Sequence, residues 1–148
     1  MNICIVCNRG GHLTEALQLL DVYQENDFFF VVPHNIRDEE LADLAPVYFH
    51  IRVDANPFRF LFVFWQALRI LLKTKPDIVL STGTENAIPF FLWGKLMGAK
   101  TIYLESWCRI TDLSVTGKLV YFWVDAFWVQ WIELVRKYPR AEYHGSVI

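Results

Sequence analysis

Metal-binding spacing is absent from this sequence. His12, His34, His50 and His144 stand far apart, and no H-E-x-x-H or paired C-x-x-C set occurs. No metal centre and no cofactor are therefore expected. The dinucleotide fingerprint G-x-G-x-x-G, the Walker pattern and the G-x-S-x-G elbow are missing too. Their absence argues against a free-standing nucleotide-binding protein and against an α/β-hydrolase nucleophile. Positive charge is not in excess: the formal net charge is -2 over 148 residues, without a basic stripe, so no nucleic-acid partner is expected.

Cysteine is scarce and odd in number: Cys4, Cys7 and Cys108. That count argues against a disulfide framework. Cys4 and Cys7 have redox-pair spacing, yet they lie in an apolar run that reads as a strand, where successive side chains change face. A redox pair needs a helix N-terminus to acidify a thiol, so both read as plain buried cysteines. No signal peptide precedes the first strand, which makes the cytoplasm the expected compartment. An apolar run of about 20 residues, the length that crosses a bilayer, is also lacking. Residues 57–72 come nearest, but Arg59, Gln66 and Arg69 interrupt them.

What is present is apolar. Hydrophobic residues make up 54% of the chain and aromatics 16%, and the mean hydropathy is +0.25. The usual apolar share is about 45–50%. A domain of this size cannot hide that surplus, so part of it faces lipid or protein.

Short apolar runs alternate with helix-period segments. Strands are predicted at 2–7, 28–32, 47–53, 78–80, 101–104 and 126–130, with a last extended piece from residue 143. Helices are predicted from Leu13 to Leu20 and over 37–44, 57–72, 87–97, 114–122 and 133–137. Such alternation means a mostly parallel α/β sheet with helices on both faces, a Rossmann-like fold. No repeat, low-complexity tract or linker divides it, so residues 1–148 read as one domain. No second set of βα units follows.

The helix over 57–72 has two readings. It packs on the sheet through Leu61, Phe64, Trp65, Leu68 and Leu72. Alternatively it lies in a membrane interface, with Phe58, Phe62 and Trp65 in the headgroup region and Arg59, Arg69 and Lys73 on anionic lipid.

Ligands of open α/β sheets sit beyond the carboxyl ends of the strands, which singles out three loops. Arg9-Gly10-Gly11-His12, followed by Leu13-Thr14-Glu15, pairs glycines with a helix start suited to a phosphate. There His12 either completes a tight turn or acts as a general base, a task for which histidine is suited near neutral pH. Thr82, Gly83 and Thr84 suit oxyanion contacts, or Thr84 simply caps the next helix. Glu105 and Arg109 follow the fifth strand. They either face the crevice, where Arg109 would hold a pyrophosphate, or pair with each other.

Gly10-Gly11-His12-Leu13-Thr14-Glu15, Glu105-Ser106, Arg109, Ser114, Thr116-Gly117-Lys118-Leu119, Tyr121, Asp125 and Val129-Gln130-Trp131 together resemble the acceptor-side subunits of two-chain UDP-sugar transferases. One branch adds the second N-acetylglucosamine to the dolichol-linked oligosaccharide. The other makes bacterial capsules and exopolysaccharides and is of the PssD type. The resemblance runs over essentially the whole chain, and the lack of an N-terminal membrane helix favours the bacterial branch. It implies the N-terminal half of a GT-B glycosyltransferase, similar to lipid II synthase. A separate small subunit would supply the UDP-sugar-binding C-terminal half, and the acceptor would be a polyprenyl-diphosphate-linked saccharide. It further implies a peripheral location at the cytoplasmic face of the inner membrane, His12 and Glu105 in catalysis, and Gly10, Gly11, Thr14, Glu15, Thr82, Gly83, Thr84 and Arg109 around the acceptor and its phosphates.

Overall fold

The computed structural model describes residues 1–34, 39–53 and 56–147. Among them seven strands form one parallel sheet: β1 (Asn2–Val6), β2 (Asp27–Pro33), β3 (Val47–His50), β4 (Ile78–Ser81), β5 (Lys100–Leu104), β6 (Ala126–Val129) and β7 (Ala141–Tyr143). Their order is β3-β2-β1-β4-β5-β6-β7. The helices are α1 (Gly11–Leu17), α2 (Leu20–Tyr23), α3 (Glu39–Ala42), α4 (Pro57–Thr74), α5 (Ala87–Leu96), α6 (Val115–Val120) and α7 (Ile132–Lys137). This is the Rossmann-like architecture expected from the alternation of strands and helices.

Side chains alternate between two cores. Cys4, Val6, Val79, Tyr103 and Phe127 meet Val63, Ala67 and Leu71 of α4, Phe90 and Phe91 of α5, Val120 of α6 and Leu134 of α7. Ile3, Ile5, Cys7, Phe30 and Val32 meet Ala16, Tyr23 and Leu41 on the other face. Each fully buried aliphatic or aromatic side chain contributes about 1.5–3 kcal/mol. Cys4 and Cys7 lie in opposite cores. Burial pushes the Cys7 thiol up to about 12 and raises that of Cys4 as well, so neither is a nucleophile.

Helix α4 begins where its sequence says it should. Asn56 caps it, its Oδ1 accepting from the amides of Phe58 and Arg59, and Pro57 occupies the first turn. Its packing face differs from the expected one. Val63, Ala67 and Leu71 are buried, whereas Leu61, Trp65 and Leu72 are exposed. The packed stripe, Phe60, Val63, Ala67 and Leu71, is turned by one residue from the expected one, because α4 has more apolar side chains than one stripe can bury, and the small Ala67 lets α4 approach the core closely. Phe58, Phe62 and Trp65 are 84%, 55% and 54% exposed. Arg59, Arg69 and Lys73 are exposed as well. Among the described residues no helix is long and apolar enough to cross a membrane.

Several boundaries moved. β3 stops at His50 because the next backbone donors turn to side chains: Ile51 N donates to Gln66 Oε1, and Val53 N to Asn86 Oδ1. The last strand starts at Ala141, two residues before the expected extension. The predicted helix from Leu13 to Leu20 is two short ones, α1 and α2. Of the helix predicted over 37–44, α3 covers Glu39–Ala42, while residues 37 and 38 lie outside the described residues.

Candidate functional site

The strand order reverses between β1 and β4, the place where ligands of such sheets settle. The loops after those two strands meet there. His12 Nδ1 lies 2.8 Å from the Thr82 carbonyl oxygen, and Thr82 Oγ1 donates back to the His12 carbonyl at 2.6 Å. A carbonyl only accepts, so Nδ1 carries a proton, and in the neutral ring Nε2 keeps its lone pair. The half-exposed His12 borders a cavity of about 430 Å³ that is also lined by Asn8, Arg9, Pro33, His34 and Arg52. A histidine held by one nitrogen, with the other bare beside open space, has the geometry of a general base.

Gly83 makes that ring position possible. Its φ is +103°, and a Cβ there would stand 3.0 Å from His12 Cε1 and 3.4 Å from the Tyr103 hydroxyl. A bulkier residue would be strained and would also push the imidazole away. The hydroxyls that flank Gly83 turn inward. Thr82 is fully buried, and Thr84 Oγ1 accepts from the Asn86 amide. Gly10, with φ +86°, caps the seven-residue α1 without a side-chain bond, and Gly11 opens that helix. Thr14 is exposed, its hydroxyl on the Gly10 carbonyl.

The two carboxylates take a different role. Glu15 is only 2% exposed, and its Oε1 accepts from Ser106 Oγ and the Trp107 amide, each at 2.9 Å. Glu105 is 1% exposed. Its Oε1 accepts from the Ser106 amide, and its Oε2 from the Ser114 amide and hydroxyl at 2.9 and 3.0 Å. Ser114 Oγ also accepts from the Gly117 amide, and it stands 3.0 Å from the Tyr103 hydroxyl. Since Ser114 spends its own proton on Glu105, the Tyr103 hydroxyl is the donor in that pair. A Cβ on Gly117 would fall 2.2 Å from Glu105 Oε2, so α6 closes over the carboxylate only at a glycine. Burial raises the Glu105 carboxyl above its ordinary value, against the hydrogen bonds from Ser114 and Ser106 and the charge of Arg109.

Glu105 thus stands neither in open crevice nor in an ion pair with Arg109 among the described residues. It holds Ser114, which in turn meets the Tyr103 hydroxyl, and a Cβ on Gly83 would reach both that hydroxyl and the His12 ring. Arg109 is exposed beyond β5. Among the described residues no cluster of His, Cys, Asp or Glu could hold a metal ion. A cavity of about 670 Å³ lies elsewhere. It is an apolar groove against Ile78, Ile102, Leu104 and Trp128 on the sheet face that α1 and α2 leave uncovered.

The family described as "Oligosaccharide biosynthesis protein Alg14 like" matches residues 52–147, well over half of the chain. The chain belongs to the Alg14-like family. The rat protein named "UDP-N-acetylglucosamine transferase subunit ALG14" is 34% identical to it, with 100% of this chain and 83% of the relative covered. The human protein of the same name is 28% identical at the same coverage. Among solved structures, MurG of Acinetobacter baumannii superposes with a TM-score of 0.75 at 19% identity, covering 89% of this chain and 42% of that one. UDP-N-acetylglucosamine 2-epimerase from Rickettsia bellii gives 0.76 at 16% identity, covering 99% and 45%. The Alg14-like chain thus has the fold of one GT-B half and spans less than half the length of those solved chains.

Sequence reasoning passed over His34, His50, Arg52 and Tyr103. The first three directly follow or end β2 and β3, so the strand-end rule that chose the other loops would have reached them. They form no motif in the linear sequence. Tyr103 sits inside a strand, where nothing distinguishes it from a core aromatic.

Proposed function

We propose that this Alg14-like chain is the acceptor-side subunit of an inverting UDP-sugar glycosyltransferase that extends a polyprenyl-diphosphate-linked saccharide. The observation that carries the reading is the His12 imidazole, fixed by Thr82 with Nε2 bare at the switch point of a GT-B half. Nε2 takes the proton of the acceptor hydroxyl while its oxygen attacks the anomeric carbon of the donor sugar. The bond to UDP breaks, UDP leaves with the electron pair, and the anomeric configuration inverts. A separate small subunit, the C-terminal GT-B half, supplies the UDP-sugar site.

Glu105 acts through Ser114, Tyr103 and Gly83 as a positioning residue, and Glu15 fixes the loop that Ser106 begins. Phe58, Phe62 and Trp65, with Arg59, Arg69 and Lys73 around them, place α4 against the membrane surface. The finer reading is capsule or exopolysaccharide synthesis at the cytoplasmic face of the inner membrane. It rests on the resemblance to the PssD-type subunits.

The test is sugar transfer from UDP-sugars to polyprenyl-diphosphate acceptors in vesicles, by this chain alone and with the small protein encoded beside it. Transfer only by the pair, abolished by His12→Ala while the two chains still associate, supports the proposal. The exposed apolar side of α4 also favours a second reading, a membrane recruiter for a partner that carries all the chemistry. Full transfer by the pair with His12→Ala selects that reading. Transfer by this chain alone rejects the split enzyme.

A further inference from the structure

The two helix layers that sandwich the sheet differ in charge. On one face, α1, α2 and α3 carry Glu15, Asp21, Glu39 and Glu40. On the other, α4, α5 and α6 contain no Asp or Glu at all. The chain as a whole is net negative, so this is segregation of charge rather than background. Arg69 and Lys73 of α4 are exposed, Lys73 with its ammonium over the Tyr48 ring. Lys95 of α5 and Lys118 of α6 are exposed too, each paired with an acid from outside these helices, Asp125 and Asp112.

The outer side of the same layer is apolar on all three helices. On α4 it exposes Phe58, Leu61, Phe62 and Trp65. Leu92 and Leu96 continue it on α5, and Leu96 is 77% exposed. Val115 and Leu119 of α6, with Phe122 just beyond its end, follow at helical spacing; Val115 and Phe122 are 78% and 75% exposed. Two tryptophans join these rows into one surface. Trp93 of α5 packs against Phe64 and Trp65 of α4 and donates its Nε1 to the Phe64 carbonyl. Trp123, after α6, donates its Nε1 to the Leu119 carbonyl and stands edge-on to Phe91 of α5, while its own carbonyl accepts from Lys95 Nζ. Leu92, Lys95, Leu96 and Trp123 border an apolar notch of about 380 Å³ between α5 and α6.

An apolar patch that spans three neighbouring helices is of the kind that meets a membrane or a protein. Charge decides between the two. An anionic bilayer repels carboxylates, attracts Lys and Arg, and accepts a broad apolar face without matching its shape. We propose that α4, α5 and α6 together form a platform that lies on an anionic lipid bilayer. Leu92, Leu96, Val115, Leu119 and Phe122 enter the headgroup region beside the apolar side chains of α4, and Arg69 and Lys73 meet lipid phosphates. This inference rests on the membrane contact of α4 proposed above and widens it from one row to a face. A single helix can roll on a surface, whereas three joined rows cannot. The platform holds the sheet along the bilayer, so the carboxyl ends of the strands, and His12 with them, open sideways over the headgroups.

The experiment uses the full chain with its partner subunit. Binding to vesicles of phosphatidylglycerol and of phosphatidylcholine is read by co-sedimentation. Leu96→Ser and Phe122→Ser should each weaken binding to the anionic vesicles about tenfold, as should Phe58→Ser on α4. Val22→Ser, at an exposed apolar position of α2 across the sheet, should leave binding unchanged. Unchanged melting temperatures separate these effects from misfolding. If Phe58→Ser releases the complex while Leu96→Ser and Phe122→Ser do not, α4 alone touches the membrane: the platform fails and the α4 contact stands. If the parent binds neither kind of vesicle, the platform and the α4 contact fail together. If Leu96→Ser and Phe122→Ser keep the vesicles but lose the partner subunit, the face is a protein interface and the proposal is overturned. Equally tight binding to both kinds of vesicle overturns the assignment to an anionic surface.

Discussion

The two sides of the crevice treat charge in opposite ways. Beside β5 and α6 the charged groups are Glu15 and Glu105, sealed from solvent and bonded to the amides and hydroxyls of Ser106, Trp107 and Ser114. Beside β2 and β3 they are Arg9, Arg52 and Arg59, and they line open cavities. A buried carboxylate that accepts backbone donors orders loops. A guanidinium on a cavity wall keeps its charge beside open space, where a neighbouring side chain or a ligand can meet it. Residues of both kinds follow strand ends, so position in the sequence does not separate builder from binder. Burial does.

Several substitutions would break or sharpen that contrast. His12→Ala, at the boundary of the two sides, should lower kcat of the assembled enzyme about 10²–10⁴-fold. Its melting temperature should stay near that of the parent, because His12 is half-exposed. A large loss of stability there would put His12 among the builders. On the carboxylate side the expected signature is the reverse. Gly117→Ala drives a methyl into Glu105 Oε2, a contact 2.2 Å from an ideal Cβ. Overpacking of this kind costs about 1–3 kcal/mol, read by denaturant unfolding, with the acceptor KM preserved in the fraction that folds. Glu15→Ala strands the Ser106 hydroxyl and the Trp107 amide and should cost about 1–3 kcal/mol, read the same way.

Glu105→Gln tests the contrast through pH. The raised carboxyl adds stability below its ordinary value and loses it as pH rises through the raised one, because only the folded state resists ionisation. The parent's melting temperature should therefore slope downward across that window, and the Gln variant should lack that component. The smallest effect belongs to Asp112, an exposed group held well below the usual carboxylate range by hydrogen bonds from Lys118, Tyr138 and Lys137. Its contribution is lost only as pH falls through that depressed value. Asp112→Asn should therefore lower melting slightly near neutral pH, flatten the acid slope by the same small amount, and leave strongly acid melting unchanged.

The sheet was legible because β-branched and aromatic runs, broken by residues such as Pro33, Pro76 and Gly98, leave few other arrangements. The short β7 was blurred by two exposed residues out of three. The contact face of α4 was misread by one residue, since its apolar side chains outnumber what one stripe can bury and the stripe that packs runs through Val63, Ala67 and Leu71. His12 stood out because Gly10 and Gly11 frame it. The roles of Glu15 and Glu105 depend on donors 91 and 9 residues away, Ser106 and Ser114, which no local pattern reveals. Arg9, His34 and Arg52, which border the cavity beside His12, share no motif, and only the parallel order of β1, β2 and β3 brings them side by side.

The paired bonds between His12 and Thr82 act as a clasp across the reversal point of the sheet. Neither loop can swing outward unless both bonds open together, so the rim breathes as one piece. Amide exchange in the two loops should then report a single shared opening rate, and that rate should rise in both loops when Thr82→Val removes one side of the clasp. A rim so joined is ready before any ligand arrives, which leaves little ordering entropy for the acceptor to supply.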